Sequence, residues 1–127
     1  MRILLIDDDA LLRQTIRKML ESAGHEVVEA ENGRIGLDAF RKQAIDAVVT
    51  DIIMPQKEGI ETIRDIRALN PAVRIVAISG GGRTHQMDFL NIAAKLGASA
   101  TLSKPFRKEA LLACVEGREP PGGSDAP

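Results

Sequence analysis

Residues 3–9 read Ile3-Leu4-Leu5-Ile6-Asp7-Asp8-Asp9, four aliphatic residues joined directly to three acids. A short apolar run with no polar face, closed by charge, reads as a strand buried on both sides. The same pattern recurs along the chain. Val27-Val28, Ala47–Thr50 (followed by Asp51), Arg74–Ile78 (followed by Ser79) and Ala100–Leu102 (followed by Ser103-Lys104) are short aliphatic or β-branched runs, mostly bounded by turn or acidic residues.

Helical periodicity fills the gaps between these runs. Leu11, Leu12, Ile16, Met19 and Leu20 are expected on one face of a first helix, with Arg13, Gln14, Arg17, Lys18 and Glu21 opposite. Asp9 suits its N-cap and Gly24 its stop. A second helix is expected from about Gly33 to Lys42, burying Leu37 and Phe40. A third carries Ile60, Ile63, Ile66 and Leu69 and ends at Asn70-Pro71. A fourth holds Met87, Leu90, Ala94 and Leu96, and a fifth starts near Phe106 and holds Leu111, Leu112 and Val115. Strict β-α alternation predicts an α/β fold: a doubly wound, five-stranded parallel sheet with five helices shared between its faces. Such sheets bind ligands outside the carboxyl ends of their strands.

Composition narrows the function classes. The 127 residues suit one domain, with 44% apolar and 28% charged residues. A net charge of −1 gives no general attraction to nucleic acid or an anionic membrane, and the absence of Trp and Tyr removes most stacking platforms. No apolar run approaches the ~20 residues of a membrane span, and the strand-like start is expected to leave no room for a signal peptide. The single cysteine, Cys114, is expected in or near the core of a cytoplasmic protein. His25 and His85 lack metal-ligand spacing and are expected at the surface. Arg13, Arg17 and Lys18 read as a basic helix face. A folded domain over 1–117 is expected, followed by a disordered tail over 118–127, rich in Pro and Gly.

The strand ends carry the chemistry. Asp7, Asp8 and Asp9 follow the first run, Asp51 the third, Ser79 with Gly80–Gly82 the fourth, and Lys104 the fifth. Carboxylates brought together repel by several kcal/mol, roughly 4 at contact distance and an effective dielectric near 20. A divalent cation resolves that conflict, and an oxygen-only donor set favours Mg²⁺. Metal, Lys, hydroxyl and bare backbone amides together make a cradle for a phosphoryl group. Asp51 closes the central strand and is the best placed nucleophile for an acyl phosphate.

Four motifs in order, ILLIDDD at 3–9, DAVVTDIIMP at 46–55, IVAISG at 75–80 and LSKPF at 102–106, give the chain a resemblance to the response-regulator receiver domain of two-component signalling over residues 1–117. The resemblance implies a flavodoxin-like receiver fold, with strand order 2-1-3-4-5 taken over by analogy. It also implies that Asp51 is the phosphoacceptor, that Asp7, Asp8, Asp51 and the Ile53 backbone carbonyl hold Mg²⁺, that Ser79 is the switch hydroxyl, and that Lys104 pairs with the phosphoryl group. A cis Lys104–Pro105 bond is expected on the same ground. The implied partners are a histidine kinase or histidine phosphotransfer protein, which relatives dock near the first helix, and a downstream target on the face of the fourth helix, fifth strand and fifth helix. Thr101 departs from the pattern, since many relatives place an aromatic residue there. Two other readings remain open at this point: the receiver part of a longer transcriptional regulator, and an Mg²⁺-dependent phosphohydrolase with an aspartyl nucleophile.

Overall fold

The computed structural model describes residues 1–52, 58–79, 95 and 97–118. Five strands, β1 (Arg2–Ile6), β2 (Glu26–Ala30), β3 (Ala47–Asp51), β4 (Arg74–Ser79) and β5 (Ala100–Ser103), pair in parallel in the order β2-β1-β3-β4-β5. Each is one of the five apolar runs, extended by one to three residues where the backbone pairing continues past the apolar side chains. Ile6 lies opposite Ala30 and Thr50, Asp51 opposite Ile78, and Ser79 opposite Ser103. That register aligns the carboxyl ends of β1, β3, β4 and β5.

Side chains alternate across the sheet and feed two separate cores. On one face Leu4, Ile6, Val48, Ile75 and Ala77 meet Ile63 and Ile66. On the other Ile3, Leu5, Val49, Val76 and Ile78 meet Ile16, Leu20, Leu111 and Val115. Each such buried aliphatic side chain contributes about 1.5–3 kcal/mol. The helices that supply these contacts are α1 (Ala10–Glu21), α2 (Gly33–Lys42), α3 (Glu58–Leu69) and α4 (Lys108–Glu116). Two lie on each face, as a doubly wound sheet requires. The expected fourth helical segment, with Met87, Leu90, Ala94 and Leu96, lies outside the described residues, as do Ile53, Gly80–Gly82, His85 and most of the expected tail.

Several side chains depart from the expected pattern. Leu11 is 76% exposed, because it sits in the first turn of α1 and points off the face that carries Ile16 and Leu20. Leu69 is likewise exposed at the last turn of α3. In α2 the fully buried positions are Gly33 and Gly36, while Leu37 and Phe40 are only half-buried against the core. The helix α1 ends on Ser22, with Gly24 (φ +92°) in the following turn. Cys114 meets the expectation: it is half-buried against the core, and burial pushes its thiol above the usual range.

His25 is the clearest reversal. Its side chain is only 9% exposed, with Nε2 2.8 Å from Glu116 Oε2, and its Nδ1 lies 3.3 Å from the amino-terminal nitrogen. The turn before β2 therefore packs against the end of α4, a contact across 91 residues of sequence that local reading does not reveal.

Two features fix α3, one at the amino ends of β4 and β5 and one at the carboxyl end of β3. The Arg67 guanidinium donates to the carbonyls of Val73 (2.6 Å), Pro71 (2.9 Å) and Gly97 (2.6 Å), tying the end of α3 to the approach to β5. Gly59 lets α3 approach β3 closely: a Cβ there would lie 2.4 Å from the Asp51 carbonyl oxygen and 2.5 Å from Ile52 Cα. Both are backbone atoms, so relief requires moving α3 or the chain beside Asp51. Gly59→Ala is expected to destabilise the domain by about 2 kcal/mol, overpacking outweighing the gain in helix propensity. The urea midpoint checks this, and an unchanged or raised midpoint would show that α3 shifts without cost.

Candidate functional site

The turn from β1 into α1 sorts three consecutive acids into different tasks. The Asp7 N–H donates to the Ala30 carbonyl (3.1 Å), continuing the β1–β2 pairing. Asp9 adopts an extended backbone, and its Oδ1 accepts from Leu11 N (3.1 Å) and Leu12 N (3.2 Å). Asp9 is therefore the helix cap. Its own N–H donates to Asp7 Oδ1 at 2.9 Å. Asp7 is buried, Asp8 exposed, and Asp51 buried at the end of β3. Carboxylate oxygens of Asp7, Asp8 and Asp51 lie within 4.8 Å of one another. The three acids expected to converge do so.

Lys104 closes the group from the other side. Its Nζ donates to Asp51 Oδ2 at 3.2 Å, with the lysine side chain 22% exposed and the aspartate 7%. Its backbone N–H donates to the Ser79 carbonyl at 2.9 Å, which seats the start of the loop after β5 beside the end of β4. The Lys104–Pro105 bond is cis, as expected. Ser79 is fully buried at the last position of β4, opposite Ser103. Ile52 N donates to the Ile78 carbonyl at 2.9 Å and keeps the ends of β3 and β4 together. Thr101 is exposed on β5. An open cleft of about 550 Å³ runs past Lys104, with Phe106, Arg107 and Ala110 among its lining.

Electrostatics shows what the cluster lacks. Burial pushes the Asp7 carboxyl up to about 6, with the charges of Asp51 and Asp8 adding to the effect; the Asp9 N–H and the Lys104 ammonium act in the opposite direction. One lysine does not neutralise three carboxylates. The donors are all oxygen, with no His or Cys among them, and the surplus negative charge is what a hard divalent cation neutralises. The cluster therefore fits a metal ion on donor type and on charge. The remaining charge pattern, an acid beside an amine that itself lines a cleft, suits an anionic group on the lysine side.

Two contributors were not legible beforehand. Gly59 reads only as an isolated glycine in a helical pattern, which signals close packing in general but not that the neighbour is the backbone at Asp51. Arg13 reads in the sequence only as part of a basic helix face. Instead its Nε donates to Glu29 Oε1 (2.7 Å) and its Nη1 to the Asp7 carbonyl (2.7 Å). Arg17 is paired as well, with Glu21 at 2.8 Å and with Glu29.

The sequence matches the response regulator receiver domain over residues 3–116. It is 34% identical over 115 residues to the chemotaxis protein CheY of Bacillus subtilis, covering 90% of this chain and 93% of that protein. It is also 34% identical to the response regulator MprA of Mycolicibacterium vanbaalenii over 113 residues, covering 88% of this chain but only 47% of MprA. Among solved structures, a response regulator receiver domain protein from Clostridium thermocellum superposes with a TM-score of 0.83 at 32% identity, covering 91% of each chain.

Proposed function

The chain belongs to the response regulator receiver domain family, and from that premise we propose that it carries a phosphoryl group on Asp51, received from a phosphohistidine donor, and signals by the change that this group imposes. The donor is a histidine kinase or a histidine phosphotransfer protein. A carboxylate oxygen of Asp51 attacks phosphorus as the bond from phosphorus to the donor's imidazole nitrogen breaks, leaving an acyl phosphate. The observation that carries this reading is the placement of Asp51 between Lys104, 3.2 Å away, and the carboxylates of Asp7 and Asp8.

Asp7, Asp8 and Asp51, with the Ile53 carbonyl, are the residues that would hold Mg²⁺. The ion, when bound, supplies neutralisation of charge on the phosphoryl oxygens. Lys104 pairs with the incoming phosphoryl group from the cleft side and Ser79 is the switch hydroxyl. These groups let the protein assist its own phosphorylation and dephosphorylation, with signalling rather than turnover as the outcome. The downstream target binds the face that the family resemblance assigns to the fourth expected helix, the fifth strand and the last helix, and the population of its binding form is shifted by the acyl phosphate. Residues 1–117 constitute the receiver domain and the chain works in the cytoplasm. Among the described residues no helix is long and apolar enough to cross a membrane.

The experiment that tests the reading is incubation with acetyl phosphate and Mg²⁺, followed by intact mass. One phosphoryl group per chain is expected, and chelation of the metal prevents its addition. A chain that gains no mass under these conditions refutes the proposal. Steady hydrolysis of a generic phosphate ester would instead favour the phosphohydrolase.

A further inference from the structure

Arg13 lies on α1, outside the acid cluster, yet it joins three elements. Nη1 holds the Asp7 carbonyl and Nε holds Glu29 on β2, each at 2.7 Å, and both side chains are largely buried. The second oxygen of Glu29 accepts from Arg17. Held by two guanidinium groups, Arg13 first and Arg17 second, the Glu29 carboxyl lies below the usual carboxylate range. A planar fork between two fixed acceptors is a rigid link. Because Glu29 neutralises it, the link brings no free cation to compete with a metal at the neighbouring carboxylates.

The carbonyl that Arg13 grips is significant. Asp7 C=O and Asp8 N–H belong to one rigid peptide plane. The preceding plane is held through Asp7 N–H on Ala30. Asp7 is buried, so packing and the Asp9 N–H hold its carboxylate. Asp8 is exposed, so among the described residues less packing holds its side chain, and the direction of its carboxylate depends more on the backbone that carries it.

We propose that Arg13 is a positioning residue for the metal ligands: by tying the Asp7–Asp8 peptide to β2 through Glu29, it sets the direction in which the Asp8 carboxylate enters the cluster. This rests on the reading of Asp7, Asp8 and Asp51 as an Mg²⁺ site. Groups that orient metal ligands from outside typically influence affinity by about 10- to 100-fold. Arg17 provides an internal control, since it shares Glu29 but bonds Glu21 where Arg13 bonds the Asp7 carbonyl.

The test is Mg²⁺ titration by calorimetry on the full chain, wild type against Arg13→Met and Arg17→Met. Arg13→Met is expected to raise the Mg²⁺ dissociation constant about tenfold, with Arg17→Met close to wild type. In phosphoryl uptake from acetyl phosphate, Arg13→Met shifts the half-saturating Mg²⁺ concentration by the same factor and leaves the plateau rate near wild type. A merely structural role would lower the melting temperature and leave the Mg²⁺ constant of the folded protein alone. Should Arg13→Met fail to fold, Arg13→Lys is compared with Arg17→Lys: a single ammonium in place of the fork still weakens Mg²⁺ at position 13 and not at 17. Equal constants for the two positions overturn the proposal. Wild-type binding with an unchanged Arg13→Met constant overturns the positioning role alone, whereas a wild type that binds no Mg²⁺ overturns the metal site and the positioning role together.

Discussion

Asp51→Ala is expected to gain no phosphoryl group from acetyl phosphate and Mg²⁺ under conditions that convert the wild type, an all-or-none difference in intact mass. The other acids are poor substitutes. Asp7 is buried and its Oδ1 accepts the Asp9 N–H, while Asp9 is committed to capping α1. Lys104 contacts Asp51, so charge neutralisation is organised around that one carboxylate. Lys104→Ala is expected to remain chemically competent but to accept the group about a hundredfold more slowly, the typical cost of removing one stabilising donor from a reacting oxygen. Uptake by Asp51→Ala at the wild-type rate would place the acceptor elsewhere. An unchanged rate in Lys104→Ala would show that the ammonium plays no part in transfer.

Asp7→Asn is expected to stabilise the metal-free protein at neutral pH by about 2 kcal/mol while weakening its response to Mg²⁺. The Asp7 carboxyl lies near 6 in the folded state against an ordinary 3.8. A raised value means that the folded protein binds this proton more tightly than the unfolded chain does. Between those two values the folded state carries more protons, so stability falls as pH rises through that window. Below it both states are protonated and the penalty is absent; above it both are ionised and the penalty is complete. Its full linkage value is roughly 3 kcal/mol. The asparagine retains an acceptor for the Asp9 N–H but carries the cost of a buried amide, which reduces the expected gain to about 2 kcal/mol. Urea melts in chelator across pH 4–8 check this. The wild type should lose stability relative to Asp7→Asn as pH rises and recover part of it on addition of Mg²⁺, because a ligand that binds only the folded state stabilises it. A pH-independent difference between the two proteins would show that Asp7 is not the group responsible.

The strands and the cluster were legible because each depends on short-range sequence. Ile3–Ile6 and Ala47–Thr50 are apolar on both faces, so only a covered central strand accommodates them, and the residue that follows each must emerge at the same sheet edge. That places Asp7, Asp8, Asp51, Ser79 and Lys104 at one edge of the sheet; their sharing a pocket also needs the strand order, which the sequence supplies only through the family resemblance. Asp9 was legible as a cap because its side chain acts on amides two and three residues away. Arg13, His25 and Gly59 were not, since what each touches lies on another element: Glu29 on β2, Glu116 on α4, the backbone at Asp51. Helix periodicity says which side chains face inward but not what a polar residue at the boundary will grip. Leu11 failed for the related reason that an apolar stripe one turn too long looks the same in sequence as one fully covered.

The pairing of Arg13 and Arg17 with Glu29 and Glu21 also bears on how another macromolecule finds this side of the protein. Opposed charges locked within a few ångströms cancel beyond the Debye length, about 8 Å at physiological ionic strength. An approaching partner therefore meets little net field from these side chains and is not drawn to them from afar. For a partner that docks on α1, these four side chains would add little to the salt dependence of association, and exposed Leu11 would offer an apolar contact.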